Sequence, residues 1–291
     1  MKRLVLGTRG SKLALAQSRL VAGWLEQAHG IEVQLEVIST RGDRVQDRPL
    51  PEVGGKGLFT LELEQALRSG SIHLAVHSLK DLPTEDSDGL VIAAVPARED
   101  PRDVLVGARL ETLHPGAIVG TGSARRAAQL VEARPDVEVR GIRGNVDTRL
   151  RKLAEGDFDA VVLAAAGLSR LGLSVEGESL DVSVCTPAPG QGALGIQTAA
   201  GSVARALVEV LDDEETRVCV EAERNFLAVL EGGCSVPAGA FAWLEDDSIR
   251  MIAVLASATG LHRLEAFGDW DEGAEMGAGL AEMLRQQAER S

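Results

Sequence analysis

Three kinds of side chain in this sequence stand where they could react or hold charge. Cys234 follows Gly232-Gly233, where a helical pattern carrying Cys219, Ala222, Phe226 and Leu230 has ended. A thiol on such a loop is accessible, and access with local positive charge makes a thiolate reactive; the plainer alternative is a small buried hydrophobe. Asp81 follows a strand in VHSLKDLP, and Pro83 stops any helix. Groups that act on substrates gather where strands give way to loops, so Asp81 is a candidate general acid–base or cation-stabilising carboxylate. The alternative is a turn-forming Asp beside a surface Lys80. Arginines recur at helix starts with small hydroxyl or Gly neighbours: Arg9 with Ser11, Arg125-Arg126 after Thr121-Gly122-Ser123, and Arg143 and Arg149 around GNVDT. Helix N-termini and planar guanidiniums both suit carboxylate or phosphate. GGKG (54–57) before Leu58-Phe59 lacks the Ser/Thr and Gly spacing of a phosphate-binding Walker loop. It reads as a Gly-rich loop carrying Lys56 and Phe59, or as a plain connector.

The elements that must position these residues follow from periodicity. LVLG (4–7) is a strand, and Leu13, Ala16, Leu20 and Trp24 mark one face of a helix capped by Ser11 and ended by Gly30. EVQLEV (32–37) alternates as a strand; 58–70 is a helix; IHLAV (72–76) and VIAAV (91–95) are strands. His73 and His77 share a strand face, have no partner at metal-ligand spacing, and are read as structural. A second α/β series begins near REDPRD (98–103): strands at 103–107, 117–120, 137–141 and 158–166, and helices at 124–133 and 145–156. TPAPGQGALGIQ (186–197) is read as a return crossing. A long helix from about 213, two strands (AFAWL, IRMIAVLA) and a helix near 273–289 make a smaller third α/β domain. No internal repeat is evident. The pattern predicts two α/β lobes with a cleft between them.

Composition narrows the function. The 291 residues suit two or three domains, and 45% hydrophobic content suits a packed core. No apolar run approaches the ~20 residues needed to span a bilayer, and the start reads as a strand, so cytoplasmic location without membrane association is expected. Three scattered cysteines argue against a disulfide framework or zinc site, and no metal is expected. The net charge of −14 makes a poor general nucleic-acid binder, and such a surface favours a soluble monomer. The charge is uneven, however. Residues 211–291 hold 17 acids against 6 bases, whereas residues 121–152 hold 8 bases against 4 acids. A basic island in an acidic chain suggests a specific anionic ligand.

The motifs GTRGSKLALAQ, STRGD, GGKGLF, VHSLKDLPT, REDPRD, GTGSARRAAQL, RGNVDTRLRKL, LAAAGLSRLGL, PAPGQGALGI and LEGGCSVP stand in the order found in porphobilinogen deaminases, which the chain resembles from about residue 3 to 240. The resemblance implies three α/β domains. The first two (1–97 with 193–211, and 98–192) are similar to type II periplasmic binding proteins around a central cleft, and the third (212–291) carries the cofactor cysteine. It implies that four porphobilinogen molecules are joined head to tail with loss of ammonia, and that water releases the linear tetrapyrrole hydroxymethylbilane. The implied cofactor is a dipyrromethane attached covalently through Cys234. Asp81 matches the catalytic aspartate. Ser78, Lys80, Thr121, Ser123, Arg125, Arg126, Arg143 and Gly144 match cofactor-binding positions. Arg9, Ser11, Arg149, Arg170 and Gln191 match substrate-binding ones, and Lys56 and Phe59 a loop covering the site. Gln197 stands where an acidic residue is common in the family, and Cys185-Thr186 where apolar residues are usual. Two other readings compete: a two-lobed module binding a small anion without turnover, and a phosphate-handling transferase. Colour with an acidic aldehyde reagent for pyrroles would discriminate them.

Overall fold

The computed structural model describes residues 3–40, 42, 60–85, 87–230 and 236–290. The chain divides into two compact units, one of residues 1–98 with 193–217 and the other of residues 99–192 with 218–291.

The first unit is built on a mixed five-stranded sheet. Strands β1 (Arg3–Thr8), β2 (Glu32–Val37) and β3 (Leu74–Ser78) run parallel, in the order β2-β1-β3. Beyond β3 lies β10 (Leu194–Ala199), antiparallel to it, and then β4 (Leu90–Ala94). The 186–197 stretch read as a crossing therefore ends as an interior strand. Helix α1 (Lys12–His29) starts at Ser11, whose hydroxyl accepts from Ala14 N at 3.2 Å, and ends at Gly30, which adopts a φ of 62°. Only glycine takes that turn without strain. Val21, Ala22 and Leu25 of α1 pack on Leu4, Leu6, Leu74, Val76 and Ile196. Helix α2 (Leu61–Ser69) places Leu63 and Leu67 against Ile72, Ala75 and Leu90. Both faces of the sheet are thus covered, as parallel strands require.

In the second unit, β6 (Ile118–Gly120), β7 (Glu138–Arg140) and β8 (Ala160–Ala164) run parallel; β5 (Asp103–Val106) lies antiparallel to β8 and β9 (Gly177–Ser179) antiparallel to β5. The order is β7-β6-β8-β5-β9. Side chains alternate between its two faces: Ala160 and Val162 join one buried cluster, Val161 and Leu163 the other. Helices α3 (Ala124–Ala133) and α4 (Val146–Ala154) follow β6 and β7. The predicted strand over 158–166 stops at Ala164, where helix α5 (Ala165–Arg170) begins.

The same unit includes helix α7 (Glu214–Val229) from Val218 onward, an antiparallel sheet β11-β12-β13 (Ala238–Glu245, Ser248–Ser257, Gly260–Asp269) and helix α8 (Gly273–Arg290). A short helix α6 (Val203–Val208) precedes α7 in the chain and packs in the first unit. The sequence predicts two strands here, and the structure adds β13. That strand is a mostly half-exposed edge, so its apolar alternation is weak. Phe226, Leu280 and Leu284 bury against Ile249, Met251 and Ala253. A Cβ on Gly277 would lie 2.0 Å from the Ala222 carbonyl oxygen, so α7 and α8 meet backbone to backbone.

Candidate functional site

Two groups of the predicted residues are described, one in each unit. The first sits at the C-terminal edge of the first sheet. Because β1 and β3 are parallel and paired at Gly7–Ala75, both end on this edge. Arg9 and Ser11 leave from one strand; Ser78, Lys80 and Asp81 leave from the other. In open α/β sheets this is where ligands bind. The turn at Leu79–Asp81 is pinned from below. Leu79 is buried, its N–H donates to Ala193 O at 3.0 Å, and Leu82 N closes back on Leu79 O at 3.1 Å. Asp81 is left exposed at the rim, with Lys80 half-buried beside it.

Gln17, which sequence reasoning passed over, fixes Ser78. Its Nε2 donates to Ser78 Oγ at 2.9 Å, and the hydroxyl lies 3.3 Å from its Oε1. Gln17 is a buried amide on the inward face of α1, and a polar residue at a core-facing position was the available signal. His77 lies one residue earlier. Burial lowers its pKa to about 4, against opposing effects from the Gln197 hydrogen bond and the Glu64 charge. Neutral His77 donates from Nε2 to Gln197 Oε1 at 3.1 Å. His73 accepts from Val5 N at 2.8 Å. Both histidines are therefore engaged within the sheet.

The second group surrounds the start of α3. Ser123 caps the helix, accepting from Arg126 N at 3.4 Å, and Thr121 Oγ1 accepts from Ser123 N at 3.2 Å. Arg125 and Arg126 are almost wholly buried, 4% and 6% exposed, and not the surface arginines that a cap position suggests. Their partner is Asp103, which is fully buried. Arg125 Nη2 donates to its Oδ2 at 2.8 Å and Arg126 Nη2 to its Oδ1 at 2.6 Å. Burial alone would raise the Asp103 pKa. The two guanidiniums outweigh it and hold the carboxyl well below the usual carboxylate range. Asp103 was legible only as the end of REDPRD, read as a domain boundary, and as the first residue of the strand predicted at 103–107.

Arg149 is half-buried and donates from Nε to the Gly144 carbonyl at 2.9 Å. Burial, and then the charge of Arg126, lower its pKa. Gly144 takes a φ of 110°, and a Cβ there would strike Thr148 at 2.6 Å, so this residue must be glycine. Arg143 is exposed. Arg170 donates to Gly192 O at 2.7 Å. Gln191 is buried, and its Nε2 reaches Pro101 O at 2.7 Å and Asp103 Oδ1 at 2.8 Å.

Among the described residues three guanidinium Nε–H groups are buried without a hydrogen-bond partner: those of Arg126 and Arg170, and that of Arg263 on β13. An orphaned buried donor on a cation is costly and is relieved by an acceptor anion. Three further arginines of the basic island are spent on its own or neighbouring acids: Arg134 pairs with Asp136, Arg140 with Glu138 and Arg151 with Glu155.

Neither described cysteine is a credible nucleophile. Cys219 is in the core beside Phe226. Cys185 is buried, and burial together with Asp103 pushes its thiol up to about 12. Cys234, Lys56 and Phe59 lie outside the described residues.

Residues 4–205 match the family described as "Porphobilinogen deaminase, dipyromethane cofactor binding domain", and residues 217–286 match "Porphobilinogen deaminase, C-terminal domain". The chain belongs to the porphobilinogen deaminase family. A porphobilinogen deaminase of Roseiflexus castenholzii is 49% identical over 289 residues, 97% of this chain and 95% of that protein. One of Shouchella clausii is 52% identical over 89% of this chain and 86% of its own. Among solved structures, the methionine-binding protein MetQ aligns at 11% identity and a TM-score of 0.44, covering 84% of this chain and 99% of that one. Family membership leaves the two competing readings without support.

Proposed function

We propose that this chain is a transferase that joins four porphobilinogen molecules head to tail into hydroxymethylbilane, with release of ammonia, on the way to tetrapyrroles. The observation that carries the reading is the arginine group at the start of α3. Each pyrrole bears an acetate and a propionate, and a growing chain accumulates carboxylates. Arg126 and Arg149, with an unpartnered Nε–H on Arg126, suit such a polyanion.

The residues also fit a dipyrromethane, which when bound supplies the pyrrole carbon to which the first substrate is joined. Thr121, Ser123, Arg125, Arg126, Arg143, Gly144, Ser78 and Lys80 would hold it, and Cys234 would carry the thioether. Arg9, Ser11, Arg149, Arg170 and Gln191 are assigned to incoming substrate, and Lys56 and Phe59 to covering it.

Asp81 acts at the reacting centre. The bond between the substrate's methylene carbon and its amine breaks, and nitrogen leaves as ammonia after taking up a proton. The methylene-pyrrole left behind is cationic. A fixed carboxylate near the pyrrole N–H stabilises that charge as it develops and can carry protons to the leaving amine and from the ring. The chain's α-carbon then forms the new C–C bond and loses its proton. Neutral His77 behind the turn adds no competing cation.

Intact-protein mass spectrometry with peptide mapping, before and after incubation with porphobilinogen, tests the reading. Added mass of two linked pyrroles on the Cys234 peptide is the expected result. A bare Cys234 after incubation, with no pyrrole product, would overturn it.

A further inference from the structure

Asp103 touches both arginines of α3 and faces no solvent. Four donors converge on its two oxygens. Arg125 and Gln191 approach at 2.8 Å and Arg126 at 2.6 Å, while the Cys185 thiol lies 3.4 Å from Oδ2. Each arginine is also tied to a backbone carbonyl, Arg125 to Thr186 and Arg126 to Val162. The side chains therefore have one arrangement. Two buried cations face one buried anion, so the cluster keeps a surplus positive charge where water cannot screen it. That surplus and the unpartnered Arg126 Nε define a site that an incoming carboxylate completes.

The same carboxylate ties the site to a distant helix. Gln191 belongs to the segment that also presents Gly190 N to Glu223 Oε2 at 2.7 Å, and Glu223 Oε1 accepts from Ala242 N at 2.9 Å. Glu223 is fully buried on α7. The 185–191 segment is thus clamped between Asp103 and the helix that leads toward Cys234.

We propose that Asp103 is the positioning residue of the anion site: it does not touch the ligand, but fixes the guanidiniums of Arg125 and Arg126 and registers them to the 185–191 segment. This rests on the deaminase reading for the identity of the ligand. An Asp with only a folding role would affect the amount of folded protein. A positioning Asp affects ligand affinity in protein that is already folded.

The probe is a pyrrole dicarboxylate that lacks the substrate's aminomethyl arm and so cannot react. Its affinity is measured by calorimetry on folded wild type, Asp103→Asn and Asp103→Glu, alongside KM and kcat with porphobilinogen. Asp103→Asn should bind the probe at least 10-fold more weakly, with KM raised more than kcat falls. Asp103→Glu, which keeps the charge but moves the carboxylate by one methylene, should lie between. If Asp103→Asn does not fold, Asp103→Glu carries the test by the same readouts. Wild-type probe affinity and KM in the folded Asp103 variants would overturn the proposal. A wild type that binds the probe but never turns over porphobilinogen would overturn the deaminase reading and leave Asp103 standing. A wild type that does not bind the probe would overturn the positioning role, since there would be nothing to position.

Discussion

Asp81 and His77 sit four residues apart yet meet opposite environments, and each has a measurable consequence. Asp81 stands at an exposed rim on a turn that Leu79 plugs into the core. Asp81→Asn keeps the size and removes the charge, so the fold and the Cys234 adduct should persist while kcat falls about 100- to 1,000-fold. Near-normal turnover would remove Asp81 from the chemistry. His77 is buried and neutral, with its pKa lowered to about 4. In the unfolded chain it takes up a proton near pH 6.5, whereas in the folded protein it resists until about pH 4. The unfolded state therefore binds more protons in that window, and stability falls as pH drops through it, by up to roughly 3 kcal/mol. Thermal unfolding from pH 7 to 4 should show this loss, and His77→Gln should blunt it; an equal loss in the variant would assign the effect to other groups. Residue types and motif order singled out Asp81 and the arginines in the sequence. What they could not show is who pairs with whom. Asp103 lies more than twenty residues from its arginines, and Gln17 lies 61 from Ser78; only tertiary packing brings them together.

At the scale of elements, the legible parts were those with strong local signals. Helix α1 has the predicted Ser11 cap and Gly30 stop, and α3 spans the predicted 124–133. The unforeseen parts lack such signals. Three consecutive alanines (164–166) favour helix as readily as they continue a strand, and α5 begins among them. The edge strand β13 alternates too weakly to announce itself. Packing between helices leaves still less local trace. Gly277 has no turn to make, yet it sits where α8 touches the α7 backbone. Gly277→Ala should raise helix propensity by up to about 1 kcal/mol and still destabilise the protein. The close contact is with a backbone carbonyl that cannot swing aside, so a net loss of about 1–3 kcal/mol is expected in denaturant unfolding. A stabilised variant would show that the helices can separate at little cost.

Across the whole molecule, the two five-stranded sheets repeat one plan that the sequence does not display. Each has three parallel strands in the order second-first-third, then an antiparallel strand, then an outer strand parallel to the first three. Periodicity recovers the strands of both but shows no sequence repeat, because a shared backbone plan needs only similar apolar alternation. In the first sheet the antiparallel strand is β10, which the chain supplies only after residues 99–192. Synthesis runs from the N-terminus, so a nascent chain released at residue 98 holds β3 and β4 with nothing to join them. It would expose two unpaired sheet edges to other chains, the condition that invites aggregation. A truncated 1–98 polypeptide should therefore be insoluble or unfolded by circular dichroism and amide exchange. Residues 1–98 linked directly to 193–217 should instead form an ordered sheet. A well-folded 1–98 fragment would mean that the late strand is dispensable. On the ribosome, the domain that begins first must be among the last to close.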